Sequence, residues 1–576
     1  MRLFAFLTKP VFVVSLLLGV MGLNCLLSMS VKSPTVDEFA HLPAGYYYWK
    51  TGDFSLYAKN PPLIRLLCAL PLLAMDVSMD PARSYPESGD WRPWIFGTRF
   101  MRDNAQTYDR IFFVGRLPVI LLALLLGWYV FRWANECYGA RGGLLSLLLY
   151  CFSPNMLAHA RLVTTDVGCA CFMFMAVYYY WKSFEDPGRG PMLGAGVCVG
   201  LAWLTKFTSL LLLPMFGLLM VLEAWAGKEA QRPVTFSFLK RVNPVFARHL
   251  CDGIARLFLI VMVGFLITNF GYGFQGSFKS LRATPKESRL FSKIGQTPLG
   301  RVPVPLPAAY VQGLDQQQLD AERGEFLSYL RGRLSSKGWW YYFLYAFMVK
   351  TPIALHLLIL ISIWFTVRHR RMTAADAFLI LPVLGVFIVF SFFNRLDVGL
   401  RYVLPVFPFL FVWLGRLGQI DVRKPLLRWG AAVIVLGFAV SSLSIFPDYL
   451  AYFNAWAGGP RNGHRHLLDS NLDWGQDLKR LKTYMDREGI EEVGLAYFGH
   501  VDPEIYGIHY HLIGERPESG DIAVSANYLY GLPYVITYGD RPVPVRPDAF
   551  RWLRAYNPRG DIGHSILVYS IAPAKN

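Results

Sequence analysis

Two adjacent carboxylates, Asp37 and Glu38, stand in Val36-Asp37-Glu38-Phe39-Ala40-His41, just past the first hydrophobic stretch of the chain. Further along the same loop, Tyr57-Ala58-Lys59-Asn60-Pro61-Pro62-Leu63 brings a cation and a double proline to the start of another apolar run. A positioned carboxylate takes a proton from a hydroxyl, and a cation neutralises a phosphate. Acidic and basic groups that converge at a bilayer surface point to an enzyme acting on a lipid-phosphate substrate. A solvated loop entrance is the other reading of Asp37 and Glu38, since acids are tolerated there. Pro34, Pro43 and Gly45 flank the segment, and Tyr46, Tyr47, Tyr48 and Trp49 follow it. Those aromatics read as an interface belt or a sugar-stacking wall, the belt being preferred.

A third acid, Asp166, closes Arg161-Leu162-Val163-Thr164-Thr165-Asp166 and opens the fourth hydrophobic span, on the same side as Asp37. An acid costs ~2.5–3.5 kcal/mol at a helix centre on insertion scales, so intramembrane acids tend to be functional. Arg161 or the threonines would otherwise satisfy it as a cap. Lys59, Arg65, Arg116, Arg161, Lys206, Lys350, Arg395 and Arg401 form a ring of cations near the outer ends of different segments. Some of these snorkel to headgroups, but a phosphate leaving group needs more than one of them. Arg116, beside Gly115 and Pro118, and Arg401, in Leu400-Arg401-Tyr402-Val403-Leu404-Pro405, are hardest to explain as headgroup contacts.

The elements that must position these groups are membrane spans. Of the 576 residues, 54% are hydrophobic and 15% aromatic, and the apolar blocks have the length of a helix crossing a bilayer. Spans are expected near 11–30, 111–131, 142–160, 164–183, 192–207, 208–226, 253–272, 340–366, 374–393, 400–416 and 428–447. Arg2, Lys9, Arg132, Arg141, Lys182, Arg189, Arg368, Arg370, Arg371, Arg423, Lys424 and Arg428 then all fall on one side. Lys228, Arg232, Lys240, Arg241 and Arg248 agree, so that side is cytoplasmic. The first loop (31–110), a second loop (273–338) and a region from 448 onward are placed on the far side. Pro61 to Met75 is too short for a span and reads as an interfacial helix. Short apolar runs such as Val493 to Phe498 and Ser565 to Tyr569, with a helical stretch near Gln476 to Arg487, make residues 448–576 a small α/β domain.

Several function classes are excluded or demoted. The net charge of +17 sits largely in cytoplasmic loops facing an anionic leaflet, and no nucleic-acid motif is present. The eight cysteines include no CxxC pair and none follows Cys251, so neither a metal framework nor a disulfide scaffold is indicated. His464, His466, His500, His509 and His511 lack a zinc spacing. Asp469, Asp473 and Asp477 do not fit an EF-hand and are expected to cap the following helix. The N-terminal run lacks a small-residue cleavage site and reads as an uncleaved anchor. A transporter or lipid flippase is the main alternative to an enzyme, but no internal repeat of the spans supports alternating access.

Asp37-Glu38, Gly52-Asp53 before Lys59-Asn60-Pro61-Pro62, Arg116, Thr165-Asp166, Leu204-Thr205-Lys206 ahead of Pro214, Lys350-Thr351-Pro352, and Arg401-Tyr402 with Pro405 and Pro408 follow one another in an informative order. In this order the chain resembles the C-type membrane glycosyltransferases (GT-C), in the branch of protein O-mannosyltransferases and lipid A aminoarabinose transferases. The resemblance covers most of residues 1–447. The segment from Tyr452-Phe453-Asn454 to Asp469-Ser470-Asn471-Leu472-Asp473-Trp474-Gly475-Gln476-Asp477 is similar to bacterial carrier-dependent members, and the β-trefoil-like insertion of eukaryotic O-mannosyltransferases is missing. The resemblance implies a GT-C-like module of about eleven transmembrane helices (1–447) with a C-terminal non-cytoplasmic α/β domain (448–576), in a bacterial inner membrane. It implies a polyprenyl-phosphate sugar as donor, a hydroxyl of a lipid, glycan or protein as acceptor, and inversion at the anomeric carbon; no cofactor is expected, and the sequence does not indicate a divalent metal. Asp37 is then the base, with Glu38 and Asp166 beside it. Lys59 and Arg116, with Arg161, Lys206 and Arg401, hold the donor phosphate, and His41 and Tyr402 contact substrate.

Overall fold

The structure is a computed structural model that describes residues 10–80, 91–186, 188–229, 244–324, 327–369, 372–421, 424–538 and 542–573. Arg2, Lys9, Arg232, Lys240, Arg241, Arg370, Arg371 and Arg423, which entered the charge count, lie outside these residues. Among the described residues, six helices are long and apolar enough to cross a membrane: Pro10–Ser30, Tyr108–Cys151, Phe207–Trp225, His249–Gly271, Ala375–Phe392 and Pro425–Leu443. Their outward surfaces carry exposed large side chains such as Leu16, Leu121, Phe258, Leu384 and Trp429, which suit hydrocarbon and not water. The protein is a multi-pass membrane protein with a C-terminal α/β part.

Several expected spans take other forms. Tyr108–Cys151 is two arms turned at Gly139, whose φ of 76° lies in the left-handed region open to glycine. The arms pack side by side, the Tyr150 hydroxyl donating to the Ala123 carbonyl over 2.7 Å. The second arm stops at Cys151, and a separate short helix, Pro154–His159, follows. The expected span 340–366 is two helices, Tyr342–Lys350 and Ile353–His369, bent by 111°. Pro352 lies at the break; it has no N–H to donate and turns Thr351 away from helix. The expected span 400–416 is a 3-10 turn, Leu400–Val403, and a nine-residue helix, Val406–Leu414, buried along its whole length.

The loop after the first span folds into helices of its own. Val36–Thr51 runs from Thr35 to Gly52, whose φ is 69°, and two acids in its first turn suit the helix dipole. It crosses Leu63–Ala69 at Gly45, where a Cβ would come within 2.1 Å of the Arg65 carbonyl oxygen. Three of the four aromatics expected to form a belt are turned inward: Tyr46 bonds the Val77 carbonyl, Tyr47 bonds Asp53 and Tyr48 bonds the Tyr57 carbonyl. They staple the loop to itself, and Trp49 remains exposed. Arg65, read at the sequence level as an outer cation, is fully buried with its guanidinium carbon 4.5 Å from the centre of the Tyr57 ring. The second loop forms Arg289–Gln296, Ala308–Arg323 and an antiparallel hairpin of β1 (Ser328–Leu330) and β2 (Arg333–Ser335).

The C-terminal part is built on a mixed sheet of β3 (Glu492–Ala496), β4 (His509–Leu512), β5 (Gly520–Ser525), β8 (Gly560–Ile562) and β9 (Ile566–Ile571), ordered β4-β3-β5-β9-β8. A small ribbon of β6 (Val535–Ile536) and β7 (Val543–Pro544) lies apart from it. β3 runs parallel to β4 and β5, and β9 antiparallel to β5 and β8. The helix Leu478–Glu488 presents Leu478, Leu481, Tyr484 and Met485 to the core, the i, i+3, i+4 spacing of an amphipathic helix.

Candidate active site

Asp37 and Glu38 are neighbours in sequence and meet opposite environments. The Glu38 side chain is wholly buried, whereas that of Asp37 is 22% exposed. Both Glu38 oxygens are occupied. Oε1 accepts from Arg116 Nε (2.7 Å) and Val163 N (2.9 Å); Oε2 accepts from Arg116 Nη2 (2.7 Å) and from Thr35 N and Oγ1 (2.9 and 3.1 Å). Burial alone would raise its proton affinity. The Arg116 guanidinium and the Thr35 and Val163 amides outweigh burial and hold the carboxyl below its ordinary range. Arg116 also donates to the Met29, Lys32 and Ser33 carbonyls, so its five N–H groups are all taken. The expectation that Arg116 holds a donor phosphate and that Glu38 takes part in chemistry does not fit this geometry. The pair fastens the first span and the 160s loop to the helix that carries Asp37.

Asp37 instead meets Arg401, whose Nη1 donates to Oδ2 over 2.7 Å. Among the described residues, Asp37 Oδ1 accepts no hydrogen bond. The same Nη1 lies 3.8 Å from Asp166, and Asp166 accepts from Lys206 over 2.7 Å. Acid and base thus alternate as Asp37, Arg401, Asp166 and Lys206. Asp166 opens the helix Thr165–Glu185 and is buried; Lys206 precedes the turn Phe207–Leu211, and Arg401 lies in the turn Leu400–Val403. The Tyr402 ring lies beneath both cations, 4.4 Å from Lys206 Nζ and 5.3 Å from the Arg401 guanidinium carbon. On its other side Arg401 stacks on Trp474, 4.2 Å from the ring centre.

Trp474 comes from the segment expected to cap the next helix, and that expectation is overturned. The helix Leu478–Glu488 has no side-chain cap, because the acids are used elsewhere. Asp477 accepts from Lys32 (2.6 Å) and the Ser565 hydroxyl (2.7 Å), and Asp473 from the Gly475 amide and the Ser525 hydroxyl. Ser33 N and Val36 N donate to the Gln476 and Trp474 carbonyls, each over 3.0 Å. The segment therefore docks on the backbone that leads into Asp37. On its other flank Ser470 Oγ bonds the Val398 carbonyl over 2.7 Å, and Leu400 N donates to Asn471 over 3.0 Å. A side chain at Gly399 would come within 2.3 Å of Ser470 Oγ. Asp469, whose φ is 58°, bonds the Tyr534 hydroxyl; burial raises its proton affinity, partly offset by that hydroxyl and by Arg401. Sequence reasoning gave Trp474 and Lys32 no role and read Asp469 only as part of a helix cap. The signal was present as three aspartates spaced by four around a tryptophan and a glycine, more polar groups than one helix cap uses.

The remaining expected residues are dispersed. Lys59 pairs with Asp320 of the second loop over 2.9 Å, tying the two loops together. Arg161 is buried, donates to the Pro447 carbonyl over 3.1 Å and lies against Tyr449, apart from the Asp37 cluster. His41 bonds the Val163 carbonyl through Nδ1 at 3.1 Å; burial, then Arg65, pushes its pKa down to about 4, so the ring is neutral. Lys350 donates to the Leu450 and Asn471 carbonyls and Arg395 is exposed. Among the described residues, no group of three His, Cys, Asp or Glu side chains is placed to hold a metal ion.

Residues 108–240 match the family model of dolichyl-phosphate-mannose-protein mannosyltransferases. No curated protein sequence matches the chain. Among solved structures, ArnT from Cupriavidus metallidurans bound to undecaprenyl phosphate is 15% identical over 92% of this chain and 97% of its own, with a TM-score of 0.47. The S. cerevisiae protein O-mannosyltransferase Pmt1-Pmt2 complex bound to the sugar donor is 16% identical over 46% and 34%, with a TM-score of 0.31. The Archaeoglobus fulgidus oligosaccharyltransferase in the apo form is 11% identical over 74% and 56%, with a TM-score of 0.42. The family-model match takes in Arg116, Asp166 and Lys206, and in this stretch the chain resembles the GT-C glycosyltransferases, as its ordered motifs indicate.

Proposed function

We propose that this protein transfers a sugar from a polyprenyl-phosphate donor to a hydroxyl acceptor, with inversion, at the non-cytoplasmic face of a bacterial inner membrane. The observation that carries the reading is the line Asp37, Arg401, Asp166, Lys206: one reachable carboxylate beside two cations that a buried acid holds in place. A phosphate entering this line competes with the two acids for Arg401 and Lys206. That competition frees Asp37 Oδ2 to accept a proton. The acceptor oxygen gives its proton to Asp37 as it bonds the anomeric carbon, and the bond from that carbon to the phosphate oxygen breaks on the opposite face. The released polyprenyl phosphate keeps the electron pair and is neutralised by Arg401 and Lys206. Asp166 acts through those cations as a positioning residue, and Trp474 fixes the plane of Arg401.

Purified protein supplied with radiolabelled sugar on polyprenyl phosphate and hydroxyl acceptors tests this reading. Label should enter a new covalent product with wild type and not with Asp37→Asn. If sealed vesicles move the labelled lipid between leaflets while no new bond forms, the protein is a transporter.

A further inference from the structure

A second polar site lies in the C-terminal domain, on the far flank of the loop that carries Asp469 and Trp474. It is a cleft of about 860 Å³ between that domain, the β1–β2 hairpin and the turn Pro460–Arg465, within the size range of small-ligand sites. Five arginines line it, Arg331, Arg461, Arg465, Arg554 and Arg559, against a single carboxylate, Asp561. Asp561 is taken by His564 at 2.8 Å, and Arg559 by Glu488 at 3.0 Å. Arg331, Arg461 and Arg465 make no ion pair among the described residues and are exposed. Nothing in the fold explains three unmatched guanidinium groups facing one hollow, since like charges repel.

The remaining lining is flat and aromatic. Tyr530 stacks on His464 with ring centres 3.9 Å apart and planes 10° from parallel. The Arg554 guanidinium lies over Tyr530 at 5.3 Å and is held by two hydrogen bonds to the Leu529 carbonyl. Tyr329 fixes the loop from beneath, its hydroxyl donating to the His464 carbonyl over 2.8 Å. A fixed aromatic platform ringed by forked cations suits a ligand with an apolar ring face and charged oxygens. The cleft is joined to the transfer site by short connections. Arg465 and Asp469 are four residues apart in the chain, as are Tyr530 and Tyr534, the partner of Asp469.

We infer that this cleft binds an anionic saccharide, bearing phosphate or carboxylate groups, as part of the acceptor. The inference rests on the proposed transferase reading for the word acceptor, but not for the binding itself. The full-length protein in phosphatidylcholine nanodiscs, which offer no anionic headgroup, is titrated with four probes. They are trehalose 6,6′-bisphosphate, a hyaluronan tetrasaccharide, a neutral chitotetraose and inorganic pyrophosphate.

At least one charged saccharide should bind about tenfold or more tightly than chitotetraose and pyrophosphate. The phosphate and uronate arms separate the two anion types. Arg461→Gln with Arg465→Gln should weaken the charged probe by about tenfold or more, with thermal unfolding unchanged. Tyr530→Leu should weaken the saccharide and leave pyrophosphate as it was. Equal binding of charged and neutral sugars, pyrophosphate as tight as the best saccharide, or a double variant that binds like wild type would each overturn the inference. A charged saccharide that binds here while no transfer is detected would leave the cleft standing and remove the transferase.

Discussion

Arg401 donates to Asp37 Oδ2 over 2.7 Å while its guanidinium carbon lies over the Trp474 ring, 4.2 Å from the ring centre. One residue thus joins an acid of the first loop to an aromatic of the C-terminal domain, across most of the sequence. The contact puts the C-terminal α/β part beside the proposed base and leads to outcomes that separate chemistry from architecture.

Asp37→Asn keeps the shape of the side chain but cannot take the acceptor's proton. Transfer should fall by ~10²–10⁴-fold, while binding of the polyprenyl-phosphate donor, measured by displacement of a fluorescent analogue, stays close to wild type. Near-normal turnover by the purified variant would remove Asp37 as the base.

Alanine at Lys206 or Arg401 should weaken the donor by roughly 10- to 150-fold, the loss of one charged hydrogen bond of ~1.5–3 kcal/mol. Arg116→Ala should behave differently. It strands the buried Glu38 carboxylate, a loss of ~3–5 kcal/mol for a broken buried pair, and should show as a lower unfolding temperature. Arg116→Met together with Glu38→Leu should recover much of that stability. A variant at Arg116 that unfolds normally and loses only donor affinity would restore its expected phosphate role.

Removing the Trp474 ring should loosen the Arg401 plane. Trp474→Ala is expected to lower kcat more than it raises KM, with Trp474→Phe restoring part of the loss. If alanine changes neither parameter, the stacked pair is packing alone.

Asp473 is buried, and burial pushes its pKa up to about 7, the Ser525 and Gly475 hydrogen bonds offsetting only part of the rise. Its folded value lies above its ordinary value of 3.8. Its contribution to stability is therefore complete below that ordinary value and is lost as pH rises through about 7. The unfolding temperature should fall between about pH 4 and pH 7, and Asp473→Asn should flatten that slope. An unchanged slope in the variant would assign the pH dependence to another group.

Labelling tests which side the loops occupy. In a background without native cysteines, Ser55→Cys and Ser519→Cys, both at exposed positions, should react with a membrane-impermeant maleimide from the outer side. Ser470 is a poor reporter, since its side chain is buried against Gly399. Reaction only after permeabilisation would invert the topology and move the proposed site to the cytoplasm.

Much of this protein was legible in its sequence because the bilayer imposes a length and a composition on every crossing. Many of the spans and the α/β character of the C-terminal part follow from local runs, and Asp37, Asp166, Lys206 and Arg401 stand out as charges placed against expectation. Which cation serves which acid does not, because ion pairing depends on distances across the chain. Asp37 and Glu38 share one dipeptide, yet only the packing of Arg116 and Val163 seals one and leaves the other reachable. The aspartates around Trp474 fit a helix cap by spacing, and only the docking of that loop on Lys32 and Ser33 turns Asp477 to the end of the first span. The short helix Val406–Leu414 has the composition of a span, but neighbouring helices fill the place of lipid around it. Local sequence sets what each segment can bury; which partner covers it is decided only when all the segments compete for the same interior.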